Sequence, residues 1–252
     1  MSQKPSLDDL WEFAPDLMPP SEAVFNLTLI ENLPEPARRY LTHAIAPGTP
    51  LALAVRLQMH GKLRLKGWRS FTAEQVIRRD GEMLWCADMS LYGLPMRGFD
   101  ALLKGQGKMQ WKLLNLFPLV AAEGTEVTRS AIGRVAGETV WLPSLLCAKD
   151  VKWTSPDASH AHAEFSLFEE KTELMLTIGE AGQPEQIRYK RWGNPEGGEF
   201  RYTDFGGIVE EEQTFNGYTI PTRMRAGWHF GTERFETEGE FFRVTLDKAI
   251  FR

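Results

Sequence analysis

Val209-Glu210-Glu211-Glu212-Gln213-Thr214-Phe215-Asn216-Gly217-Tyr218-Thr219-Ile220-Pro221-Thr222-Arg223-Met224 holds two runs of strand-forming residues joined by Asn216-Gly217. Asn-Gly takes the two consecutive positive-φ positions of a type I′ turn, whose twist matches the flanking strands, so the stretch reads as an antiparallel hairpin. A two-residue loop sets the register. Phe215 faces Tyr218, Gln213 faces Ile220, Glu211 faces Thr222 and Val209 faces Met224, on the face that continues into Ala226, Trp228 and Phe230. The other face takes Glu210 opposite Arg223, with Glu212 and Arg225 diagonal to them, a cross-strand charge set suited to water. This count leaves Glu211 and Gln213 on the apolar face, where a carboxylate needs a partner or a cavity. Arg191, in step with Ile187 and Tyr189, is the candidate partner. Two readings are open: an internal ion pair that holds the register, or polar groups that orient the head of a ligand inside an apolar hollow.

The same period of two recurs along most of the chain. Leu51, Leu53, Val55, Leu57, Met59, Leu63 and Leu65 alternate with Ala52, Ala54, Arg56, Gln58, His60, Lys62 and Arg64. Met83-Trp85-Ala87-Met89, Met109-Trp111-Leu113, Ala163-Phe165-Leu167, Leu174-Leu176-Ile178 and Phe242-Val244-Leu246 repeat the pattern. One wet and one dry face along each strand marks antiparallel sheet, because parallel strands are buried on both faces. A helix interrupts the strands at about 125–142, with Val127, Ala131, Val135 and Thr139 at spacing four and Pro143 as its stop. An apolar side this long must lie on the sheet. The expected fold is therefore mainly β (α+β): one large, strongly curved antiparallel sheet, an open or half barrel, with a few helices packed on its concave face and an N-terminal helical arm. Residues 1–32 form the expected arm and 33–252 the sheet domain. In the arm, Pro5, Pro15, Pro19 and Pro20 punctuate short helical pieces, and Ser6 is placed as N-cap before Leu7-Asp8-Asp9-Leu10-Trp11. A second helix begins near Pro36, with Ala37, Tyr40, Leu41 and Ala44 on one stripe.

Composition narrows the function. The 252 residues are 42% apolar and 25% charged, with 29 Lys and Arg against 34 Asp and Glu, a net charge of −5. Nucleic-acid binding rests on cationic neutralisation of phosphates, so it is not expected here. The acidic start lacks the basic and apolar regions of an export signal, which makes the cytoplasm the expected location. The charge-free stretches from Leu113 to Ala122 and Tyr40 to Val55 are too short to span a membrane as helices. Cys86 and Cys147 have no nearby Cys or His cluster and read as reduced thiols, with a redox pair as the alternative. No nucleotide-loop, zinc-protease or nucleophile-elbow motif is present, and no cofactor is expected. Gly105-Gln106-Gly107 reads as a bend or bulge. His160 and His162 share a strand face but no third metal ligand can be named, and His229 falls on the wet face of its strand.

Of the eight Trp residues, Trp85, Trp111 and Trp228 fall at inward positions of separate strands. They suit either a filled core or the lining of a cavity for an apolar or ring-bearing ligand. From about Leu33 to Arg252 the chain resembles a widespread bacterial family of proteins of unknown function. The resemblance is carried by Arg79-Asp80-Gly81, Gly93-Leu94-Pro95-Met96-Arg97-Gly98-Phe99-Asp100, Gly105-Gln106-Gly107-Lys108-Met109, Trp141-Leu142-Pro143-Ser144, Arg191-Trp192-Gly193, Phe205-Gly206-Gly207, Gly217-Tyr218-Thr219-Ile220-Pro221, Ala226-Gly227-Trp228 and Glu240-Phe241-Phe242-Arg243. It implies a fold similar to the open, helix-plugged half barrels of bacterial lipoprotein carriers, whose concave face receives acyl chains. The resulting expectation is a non-catalytic protein that binds a lipid-like or other apolar small molecule. Trp85, Trp111, Met224 and Trp228 line its concavity, and Arg191 and Glu211 orient a polar head. The alternatives are a small-molecule enzyme using Glu211 as general base with Arg191 or Arg97, and a protein-interaction module.

Overall fold

The computed structural model describes residues 5–12 and 24–252. Thirteen strands form one antiparallel sheet: β1 (Ala54–Arg64), β2 (Trp68–Arg78), β3 (Met83–Leu91), β4 (Leu94–Leu103), β5 (Gln106–Leu113), β6 (Phe117–Glu123), β7 (Lys152–Asp157), β8 (His160–Leu167), β9 (Glu170–Ile178), β10 (Pro184–Gly193), β11 (Arg201–Phe215), β12 (Tyr218–Trp228) and β13 (Glu240–Phe251). Their spatial order is β6-β5-β4-β3-β2-β1-β13-β12-β11-β10-β9-β8-β7. Two meanders thus meet where the first and last strands pair, and β6 and β7 remain as the edges.

Helix α3 (Thr125–Glu138) runs from one edge strand toward the other, followed by short 3-10 turns at Thr139–Trp141 and Leu145–Cys147. It packs on β4, β5 and β6 of one arm and on β9 and β10 of the other. β5 and β10 are eight positions apart in the sheet, about 38 Å if the sheet were flat. A helix roughly 10–12 Å across touches both only because the sheet wraps around it. The expected strongly curved, open sheet is the one observed. At one end the arms nearly meet: a Cβ placed at Gly81, in the β2–β3 turn, would lie 3.1 Å from the Phe168 ring in the β8–β9 turn, and one at Gly105, in the β4–β5 turn, 3.2 Å from it.

The inward alternation holds. Leu57, Met59, Trp85, Ala87, Phe165, Leu174, Leu176, Val244 and Leu246 are buried in one continuous core on the concave side. α2 (Glu35–Ala44) adds Ala37, Tyr40, Leu41 and Ala44 to that core. α1 (Leu7–Trp11), capped by Ser6 as expected, lies on the convex face, with Leu10 against Val76, Leu84, Phe99 and Ala101. Pro15, Pro19 and Pro20 lie outside the described residues.

Two local expectations change. Lys104 and Gly105 form the tight β4–β5 turn, with φ of 51° and 70°, so the Gly105-Gln106-Gly107 bend is a hairpin turn. The β11–β12 hairpin keeps Phe215 opposite Tyr218, Gln213 opposite Ile220 and Val209 opposite Met224, but irregularities on either side of Glu211 set it opposite Arg223, not Thr222. Each strand carries one extra residue there, so the register is restored beyond it. Within the irregularity, parity no longer tells which way a side chain points.

Candidate ligand-binding site

Between the concave face and α3 lies a chamber of about 640 Å³. Trp85, Met96, Met109, Trp111, Tyr189, Phe205, Met224, Trp228, Phe241 and Phe242 contribute to its walls. With Phe71 behind the wall, the aromatics of the concave face form two connected rows, one on each arm. In the first, Phe242 stacks on Phe71 at 5.5 Å between centroids, Phe71 meets Trp85 edge-on at 5.7 Å, and Trp85 meets Trp111 at 5.8 Å. In the second, Tyr189, Phe205 and Trp228 follow at 5.3 and 5.0 Å. Trp111 rests on Gly98 and Trp228 on Gly193, where any Cβ would overlap the indole. The two glycines therefore leave the rings lying against the sheet and keep the space between the rows open.

Along one wall the chamber is ionic. Arg134 on α3 donates from Nη1 to Asp100 Oδ2 on β4 at 2.7 Å and from Nε to Glu138 Oε1 at 2.7 Å. Gln75 Nε2 donates to Glu138 Oε2 at 2.6 Å. The Arg134 guanidinium also lies 5.0 Å from the Trp85 ring centroid. Burial works against its charge, but Glu138 and Asp100 outweigh it and hold the Arg134 pKa above the ordinary value. Asp100 is raised, first by burial and further by Glu138, against the pull of Arg134 and Arg191. Its Oδ1 is buried with no donor in hydrogen-bond geometry, although the nearby Trp111 indole favours the ionised form. The Trp85 Nε1 donor is also buried without a partner.

Arg191 on β10 completes the wall. Its Nε donates to the Ser130 carbonyl at 3.3 Å, and its guanidinium sits 4.8 Å from the Phe205 centroid and 5.3 Å from that of Trp228. Among the described residues it forms no ion pair. Burial, and to a lesser degree the like charge of Arg134, push its pKa down, partly offset by Tyr189, Glu138 and Asp100. An arginine remains charged through such a shift. A cation without its own carboxylate therefore faces an apolar space.

Of the residues named from sequence, Trp85, Trp111, Arg191, Met224 and Trp228 come together around this chamber. Glu211 does not. It is half exposed and bonds Arg223, at the irregular point of the hairpin, so it is no partner of Arg191 and no internal base. Arg97 stands on the convex face against Asp88. Glu212, placed on the wet face by the count, reaches His43 Nε2 on α2 at 3.0 Å. His160 bonds Asp157, whose carboxyl it holds down to about 2, while His162 lies beside Glu164 and Glu173. His229 lies beside Glu196. Among the described residues, neither Cys86 nor Cys147 forms a disulfide.

Sequence reasoning missed Asp100, Arg134 and Glu138. A signal existed for the helix pair: Arg134 and Glu138 are at spacing four, beside Gly133 and Gly137, a small-residue stripe that lets strand β10 approach. A Cβ at Gly137 would overlap the Tyr189 hydroxyl. Asp100 shares its strand face with buried Met96 and Leu102.

Fold and site together define a curved-sheet protein with one helix-covered, largely apolar chamber and an ionic wall. The chain belongs to a family of unknown function, DUF6920, which matches residues 31–251. This is the uncharacterised family expected from the sequence. No curated protein matches the chain. Among solved structures it is similar to a putative outer membrane lipoprotein-sorting protein domain from Vibrio parahaemolyticus, at 8% identity over 90% of this chain and 92% of that one, with a TM-score of 0.45. It is also similar to a LolA superfamily protein from Nitrosomonas europaea, at 11% identity over 91% and 94%, with a TM-score of 0.42. Both are likenesses of fold.

Proposed function

We propose that the protein binds an amphiphile with an apolar, chain-like body and an anionic head, without transforming it. One observation carries this reading: the unpaired Arg191 guanidinium opens into an apolar chamber of about 640 Å³. That volume lies within the range of about 300–1,000 Å³ usual for small-molecule sites. The body of the ligand lies between the two aromatic rows. Its head meets Arg191, and Arg134 is held away from it by its own carboxylates. The Trp85 Nε1 donor, buried without a partner, offers a hydrogen bond to a further polar group on the ligand, since buried polar atoms are ordinarily satisfied. An acid–base mechanism using Glu211 has no support in this geometry, because that side chain is at the surface.

Four indoles, those of Trp85, Trp111, Trp141 and Trp228, line the chamber, so a fatty acid carrying bromine on its chain is a direct probe. It should quench Trp emission saturably, and mass spectrometry of freshly purified protein under native conditions should show an added amphiphile mass. Failure of the brominated acid to quench, together with a bare protein mass, removes the proposal.

A further inference from the structure

The chamber opens at the end opposite Phe168, and the hairpins around that opening carry exposed apolar side chains. Leu65 and Lys66 of the β1–β2 turn, Tyr92 of the β3–β4 turn, and Leu119 and Val120 of β6 all reach its lining. Many apolar side chains here face outward. Tyr92 is 72% exposed, Leu116 73%, Phe117 60% and Leu65 51%, and Leu94 and Leu114 are exposed as well. Tyr92 and Leu114 also occupy left-handed positions, with φ of 52° and 54°, where glycine or asparagine is the low-cost choice. Lys104, Phe168 and Glu169 are left-handed in the turns of the closed end as well, so what sets this end apart is the exposure of its apolar side chains. An exposed apolar cluster marks a contact site.

Charge indicates what is contacted. The chain as a whole carries −5, yet 63–69, 89–97 and 111–122 contain five cations and no acid. Arg97 is matched by Asp88. Among the described residues, Arg64, Lys66, Arg69 and Lys112 form no ion pair; Arg64 bonds the Thr237 carbonyl and Arg69 lies over the Tyr92 ring. In the adjoining β12–β13 connection Glu236 and Glu238 are each paired with an arginine, as is Glu240 at the start of β13, while Glu233 forms no ion pair among the described residues. Apolar and aromatic tips flanked by unpaired cations are the chemistry of an interfacial anchor.

We infer that the three hairpin tips dock on an anionic phospholipid bilayer, inserting Tyr92, Leu116 and Phe117 among the acyl chains while Lys66 and its neighbours meet the headgroups. This presents the chamber mouth to the membrane. The inference does not depend on what the chamber holds.

Flotation with phosphatidylcholine vesicles, with and without phosphatidylglycerol, tests it. The protein should rise with the phosphatidylglycerol vesicles, fall away as salt is added, and rise poorly with phosphatidylcholine alone. Leu116→Asp with Phe117→Asp should abolish flotation while leaving the melting temperature and Trp quenching by the brominated acid unchanged. Lys66→Gln and Lys112→Gln should each weaken vesicle binding about fivefold. Arg191→Met should float like wild type, which separates this surface from the chamber. Wild-type protein that stays at the bottom with anionic vesicles overturns the inference and leaves a protein partner for the patch. Tip variants that float as well as wild type overturn it too.

Discussion

Replacing Arg191 by methionine separates a ligand anchor from a structural ion pair, because the two roles predict opposite effects on stability. The substitution removes one long hydrogen bond to the Ser130 carbonyl, 3.3 Å, and two cation–π contacts at 4.8 and 5.3 Å. Those are worth about 1 kcal/mol and roughly 0.5–1 kcal/mol each, some 2–3 kcal/mol together. Against them stands the cost of a guanidinium withdrawn from water without a counter-ion, several kcal/mol even after relaxation. Methionine also fills the same apolar path with a flexible stem. Thermal or urea unfolding should therefore show the variant as stable as wild type within about 1 kcal/mol, or more stable. Binding moves the other way. A charge-assisted hydrogen bond contributes about 1.5–3 kcal/mol, so affinity for a brominated fatty acid should drop roughly tenfold to a hundredfold. The methyl ester of the same acid, lacking the negative head, should bind both proteins alike. Equal loss for acid and ester, or a destabilisation above about 3 kcal/mol, would refute the assignment of Arg191 as an unpaired anchor.

Asp100→Asn should flatten part of the acid side of the stability profile. The carboxyl is raised in the folded state, so the native protein keeps a proton that the unfolded chain has already released. Wild type consequently loses stability as pH rises from about 4 through the folded pKa, and the Asp100→Asn variant should not; melting temperatures from acid to neutral pH will show whether the slopes differ. Gly137→Ala should cost about 1–3 kcal/mol, because the new methyl overlaps the Tyr189 hydroxyl and pushes α3 off β10; chemical unfolding measures it, and an unchanged midpoint would contradict the packing. Glu211→Leu should cost at most about 1 kcal/mol, since its bond to Arg223 is solvent-exposed. A loss of about 3–5 kcal/mol, the mark of a stranded buried charge, would instead restore the uninterrupted register.

Most of the architecture is legible in the chain by itself. Period-two alternation depends only on backbone geometry, so it marks the strands and their inward residues wherever pairing is regular. That is why alternation alone assigns Trp85, Trp111, Met224 and Trp228 inward, and why spacing and turn chemistry place the α3 stripe and the Asn216-Gly217 turn. Glu211 shows where this legibility stops. Its orientation hangs on a compensated irregularity between Val209 and Gln213, and an extra residue on each strand leaves no trace in the hydrophobic pattern. Distance in the sheet is the other obstacle. Asp100, Arg134 and Arg191 come from β4, α3 and β10, and they share one wall only because the curl of the sheet brings widely separated arms onto a single helix. Local propensity determines strands, turns and faces; which charge remains unpaired inside the hollow is decided by the closure of the whole sheet, because the electrostatic partner of a buried group is set by proximity in space, not along the chain.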